Sequence, residues 1–132
     1  MQRIHDSDSA IESEIQAKGL TAPRVTPERI KEVIASEHYF TAAEGVIGGS
    51  VMDGGTNAPC PSALALLTFC VLKLQNGFTV TGESACASPE NFDAEIGRKI
   101  ARENAVNKIW MLEGYLLKQK LFAQQEIDAA LP

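Results

Sequence analysis

The chain has 132 residues, 45% of them hydrophobic and 22% charged, with a net charge of −5, which fits a single globular domain with enough apolar residues for a core. Its acidity, and the lack of a basic stripe interleaved with aromatics, argue against nucleic acid as a partner. No window reaches the ~18 apolar residues of a membrane span and no basic segment precedes an apolar run, so no membrane association is expected and the protein is placed in the cytoplasm.

In chain order, residues 1–24 form an N-terminal arm. Ile4, Ile11 and Ile15 share a helical face and Gly19 can end it, so the segment reads either as a weak helix or as an arm docked on a partner subunit, followed by a linker with Pro23. A single compact α+β domain is expected over about 25–122. Thr26-Pro27-Glu28 then opens a helix by cap, N1 proline and first-turn acid, predicted over about 27–37 with Ile30, Val33 and Ile34 inward. His38, Tyr39 and Phe40 stand at its end. They read either as a stacking platform for a base, with His38 as hydrogen-bond partner, or as rings packed on the domain with His38 capping the helix dipole. The glycine-rich stretch over about 46–61 has no usable periodicity and predicts a mobile loop. Its GGSVMDGG run lacks the Gly-Lys-Ser/Thr of a phosphate-binding P-loop.

Asn76-Gly77 predicts a β-hairpin of strands over about 66–75 and 78–84, closed by a two-residue type I′ turn. That register pairs Lys73 with Val80 and Val71 with Gly82. A helix over 62–76 ended by Gly77 is the competing reading, and the β-branched and aromatic content of Thr68-Phe69-Cys70-Val71 and Thr79-Val80-Thr81 favours strands. Neither face of the ribbon is cleanly polar, so both are expected to be covered, by helices or by another subunit.

Gly82 to Ala87 is a run of small residues leading to Ser88-Pro89-Glu90, which predicts a long helix over about 89–118 capped by Ser88. The loop amides and the first helical turn can hold an anion, or Ser88 and Glu90 can simply cap the helix. On a helical wheel Phe92, Ile96, Val106, Trp110, Leu117 and Leu121 share one face, and Ala101, Ile109, Leu112 and Leu116 lie roughly opposite. The second half is apolar nearly all round, which predicts at least a homodimer. Residues 123–132 are left as a tail.

Three segments of this chain resemble a known family: SEHYFTAAEG at 36–45, LLTFCVLKLQNGFTVTGESACASPENFDAEIGRKIARENAV at 66–106, and KIWMLEGYLLKQKL at 108–121. They are similar to small tailed-phage proteins typified by early-region products of N-four-like and Sf-six-like phages, over about 25–121. The resemblance implies a viral or prophage origin and action inside the bacterial host, and it supplies no catalytic residue.

Three cysteines without CxxC spacing and two histidines fit reduced thiols and offer no metal constellation, so neither metal nor cofactor is expected. Ser84 or Cys86 with His38 would be a nucleophile and base, but no motif supports the pairing, and the chain is read as a non-enzyme. The candidate ligand site comprises Tyr39, Phe40, Ser84, Ser88, Arg98 and Arg102, converging where the 82–88 loop meets the long helix. Two functions follow: a counter-defence sponge that sequesters a nucleotide-like small molecule in the host cytoplasm, or an interaction module that inhibits or recruits a host protein.

Overall fold

The computed structural model describes residues 2–54 and 59–132, with side chains from residue 7. The elements run α1 (Gln2–Ala17), α2 (Pro27–Val33), β1 (Ile34–Thr41), α3 (Ala42–Met52), a 3₁₀ turn (Ser62–Leu66), β2 (Leu67–Leu74), β3 (Thr79–Ala85), a second 3₁₀ turn (Pro89–Asn91) and α4 (Ala94–Ala130). The fold is α+β, with one antiparallel sheet in the order β1-β2-β3. Gln2–Ala17 of the N-terminal arm is helical, and Arg24 donates to Glu12 of α1 at 2.6 Å.

The hairpin is present, one residue out of the predicted register. Leu74 donates to the Phe78 carbonyl at 2.8 Å and Gly77 to the Leu74 carbonyl at 2.9 Å, so the loop is Gln75-Asn76-Gly77 rather than Asn76-Gly77 alone. Gly77 takes the left-handed conformation (φ 89°) that ends a three-residue hairpin loop. Because side chains alternate, the slip moves a whole strand to its other face. Val80 faces Leu72 and Gly82 faces Cys70, so the Thr68, Cys70, Leu72 and Leu74 face is buried with Val80.

Two further expectations are corrected. The helix predicted over 27–37 stops at Val33, and Ile34–Thr41 is a strand on β2. Ile34, Tyr39, Phe40 and Thr41 are β-formers, and pairing with β2 satisfies their backbone where a short helix would expose them. His38 therefore caps no helix; it lies exposed on the strand, its Nε2 3.0 Å from Ser36 Oγ. The expected loop over 46–61 begins as helix α3. Thr41 and Glu44 close a capping box, each side chain bonding the other's backbone N–H, and this signature outweighs the low helix propensity of Gly45, Gly48 and Gly49.

The long helix also differs at both ends. Ser88 makes no side-chain cap; Asp93 Oδ1 accepts from Ile96 N–H at 3.0 Å and starts α4 at Ala94. The chain is extended at Phe92 (φ −68°, ψ 127°), between the 3₁₀ turn and the Asp93 cap. The helix continues to Ala130, which absorbs the predicted tail.

The core joins α2, the sheet and α4 through Ile30, Val33, Cys70, Leu72, Leu74, Val80, Ala101, Ala105 and Ile109. Its closest seam is glycine-dependent: a Cβ on Gly82 would lie 2.1 Å from the Ala101 carbonyl oxygen, and one on Gly97 would lie 2.9 Å from Thr68 Oγ1. Within one chain α4 covers one face of the sheet. Among the described residues the other face has only α3, and a Cβ built on its Gly45 would lie 3.5 Å from the Phe40 ring.

Candidate functional site

The end of the sheet nearest the start of α4 carries a cleft of about 410 Å³. Its walls are Tyr39, Phe40 and Thr41 from the end of β1, Glu44 of α3, Ala65 and Thr68 before and within β2, Phe92, and Ala94 and Arg98 of α4. Tyr39 and Phe40 leave β1 on opposite faces of the sheet. Both still border the cleft because the strand ends there. Phe40 stacks on Phe69 with ring centroids 5.5 Å apart and planes at 25°, while 37% of it stays exposed.

The charges around the cleft divide into committed and free. Arg102 donates to Glu37 at 2.7 Å, and Tyr39 donates its hydroxyl to the same Glu37 oxygen at 2.7 Å. Arg102 holds the Glu37 carboxyl below its usual range, against the opposing effect of burial and with help from Tyr39. Burial and the Glu37 bond push the Tyr39 phenol far up. Glu44 spends an oxygen on the Thr41 N–H. Arg98, one turn into α4, makes no ion pair among the described residues and is exposed.

The six predicted residues therefore separate. Tyr39, Phe40 and Arg98 meet in the cleft. Ser84 lines a smaller hollow of about 120 Å³ with Cys86, on the other side of Phe92 and Thr68. Ser88 borders neither; its carbonyl accepts from the Cys86 thiol at 3.2 Å. Arg102 is taken by Glu37. The expected convergence on the 82–88 loop is thus replaced by a cleft one layer away, divided from that loop by Phe92.

Residues 25–121 match the phage protein (N4 Gp49/phage Sf6 gene 66) family. The chain belongs to that family. It matches no curated protein and no solved structure. The matched residues run from just before α2 into the second half of α4 and include every wall of the cleft.

In this phage protein the structure separates Ser84 from His38. Ser84 lies on the α4 face of the sheet, opposite Thr68, whereas His38 lies on the other face, opposite Val71. Burial pushes the Cys70 thiol up, away from a reactive thiolate. Among the described residues no cluster of His, Cys, Asp and Glu is placed to hold a metal, and no helix is long and apolar enough to cross a membrane. Glu37 and Glu44 were not singled out in sequence, and Phe92 was read as part of an apolar helix face. Thr41-x-x-Glu44 is a legible capping box that would have placed α3 beside the rings; nothing local marks Glu37.

Proposed function

We propose that this phage protein is a non-enzymatic binding protein that takes a small molecule combining a planar ring with an anionic group, the chemistry of a nucleotide, in the cleft between Phe40, Phe92 and Arg98. The observation that supports this most is the free Arg98 guanidinium beside exposed aromatic surface, in a cleft of about 410 Å³, where the other charged groups already have partners. Pockets of about 300–1,000 Å³ with apolar walls and a few fixed polar groups are the usual form of small-molecule sites. Aromatic faces accept a base by stacking, and a guanidinium takes phosphate oxygens in a bidentate fork. For a phage product acting in the host cytoplasm, sequestering a nucleotide-type defence signal is the function such a site serves.

The test is a panel of mono-, di- and cyclic nucleotides, screened by thermal shift and titrated by calorimetry. A true ligand at a hundredfold excess over its Kd adds about 2.7 kcal/mol of stability. Arg98→Ala is expected to weaken it tenfold or more, since one charge-assisted hydrogen bond contributes about 1.5–3 kcal/mol. Arg102→Ala is expected to lower stability and leave affinity nearly unchanged. A panel without a single hit, or an Arg98→Ala protein that binds as wild type does, removes this reading.

The second reading, a module that inhibits or recruits a host protein, is favoured by the segment 114–130 of α4. It runs about 25 Å past the last buried residue, Glu113, with Tyr115, Leu116, Phe122 and Ile127 exposed.

A further inference from the structure

The two edges of the sheet are built differently. β1 carries a bulge at Ala35 and leads straight into α3, devices that discourage another strand from pairing. β3 is continuous in register over Thr79–Ala85 and contains neither proline nor lysine. The bonds from Leu74 to Phe78 and from Cys86 to Leu66 fix which residues of β3 bond β2, namely Val80, Gly82 and Ser84. The N–H and C=O groups of Thr79, Thr81 and Glu83 point outward. Of these the Glu83 carbonyl is covered, by Asn104 Nδ2 at 2.7 Å. Thr79 and Thr81 remain as an open stretch of edge.

Beside that stretch lies the most exposed apolar surface of α4. Phe78, Met111 and Leu112 line one shallow hollow with Thr79 and Thr81, and Met111 and Tyr115 are 78% and 73% exposed. An unpaired edge and an unpartnered helix strip thus face the same way.

The geometry points to a second copy of this chain as the occupant, joined β3 to β3 in antiparallel fashion about Val80, to give a six-stranded sheet with both α4 helices on one face. This goes beyond the cleft reading and does not depend on it, because the cleft lies on the far side, against β1. Three features carry it. Pairing about Val80 sets Thr79 opposite Thr81 of the partner subunit and makes about four main-chain hydrogen bonds without disturbing Asn104. The pairing is its own inverse, as a two-fold interface must be. The apolar strip adds to it: Phe78, Met111 and Leu112, which line the hollow beside Thr79 and Thr81, then lie at the seam between the two copies, and Lys108 extends its ammonium to the rim.

Sedimentation equilibrium on the full chain, with circular dichroism of each variant, tests this. Wild type is expected at twice the chain mass of 14.2 kDa at micromolar concentration. Thr81→Pro removes only an outward N–H, a substitution edge strands tolerate, and is expected to give a folded monomer. Met111→Lys places a charge in the seam at a site too exposed to unfold the protein, and is also expected to be monomeric; it decides alone should Thr81→Pro fail to fold. A monomeric wild type overturns the proposal and leaves the edge to a different protein. A Met111→Lys protein that remains a dimer overturns it as well, placing the contact elsewhere, the 114–130 segment first.

Discussion

The two halves of α4 reverse the usual relation between side-chain size and burial. In the first half the residues against the sheet are Gly97, Ala101, Ala105 and Ile109, ending at Glu113. In the second half Tyr115, Leu116, Phe122 and Ile127 are all exposed. Small residues are buried because the helix approaches the sheet closely, and the close approach is possible because Gly82 presents bare backbone beneath Ala101 and Ala105. The large residues extend past the end of the sheet. Burial along this helix is set by what lies opposite, and hydrophobic content alone would assign the core to the wrong half.

The sharpest way to break this contrast is Gly82→Ala. The added methyl would lie 2.1 Å from the Ala101 oxygen and 2.3 Å from the Ala105 nitrogen, and both are backbone atoms of a long helix that cannot yield locally. The helix has to lift off the sheet or the strand has to bend, so a loss of about 3 kcal/mol or more is expected, at the upper end of overpacking costs. A denaturation midpoint within error of wild type would show that the seam is looser than its geometry.

Next in size is a matched pair, one residue from each half. Ile109 is fully buried, so Ile109→Ala should cost about 2–4 kcal/mol through lost transfer energy and the cavity left behind. Phe122 is larger but 50% exposed, and Phe122→Ser should change the stability of the chain by no more than about 0.5 kcal/mol. Comparing the two by urea denaturation at low protein concentration keeps self-association out of the measurement. Similar losses at both sites would mean that the second half of α4 is covered after all.

The same contrast explains what sequence reasoning reached. The α+β class, the strands around residue 77 and the existence of α2 and α4 were legible, because β-branched runs, the Thr26-Pro27 start of α2 and the helical periodicity of α4 are local signals, although Asp93 and not Ser88 caps α4. Register was not. Asn76-Gly77 supports either a two- or a three-residue loop, and the choice falls to burial of Val80 and Gly82 under α4. The buried face of α4 was reached only in part, for a related reason. Gly97, Ala101, Ala105, Ile109 and Glu113 are spaced by four, so the row winds about 40° around the helix per step. It follows the twist of the sheet beneath it, whereas a fixed-angle wheel keeps Ala101 and Ile109 on a strip with Leu112 and Leu116 and gives the larger Phe92, Ile96 and Trp110 a face of their own. At the candidate site, the aromatic pair and Arg98 were recoverable as residue types, whereas the loss of Arg102 to Glu37 depends on pairing β1 with β2, which no local pattern announces.

That Glu37–Arg102 contact supplies the smallest effect and ties the first half of α4 to β1. The Glu37 carboxyl is held below its usual range by Arg102, with Tyr39 assisting against burial. An unfolded Glu titrates near about 4.3. Between that value and the lower folded one, the unfolded chain binds more protons, so stability rises with pH there. The contribution is therefore complete above about pH 5, and it fades as the solution is acidified through the folded pKa. Because the Arg102 and Glu37 side chains keep 26% and 37% of their surface exposed, solvent screening limits the pair to about 0.5–1 kcal/mol. Glu37→Gln should accordingly lie below wild type by that amount at pH 7, with the two curves closing towards pH 3. Glu12 is also depressed, by Arg24, but it is common to both proteins and cancels in the difference. A gap between wild type and Glu37→Gln that stays constant from pH 7 to pH 3 would mean the carboxylate charge contributes nothing, and that only the shape of the side chain matters where β1 meets α4.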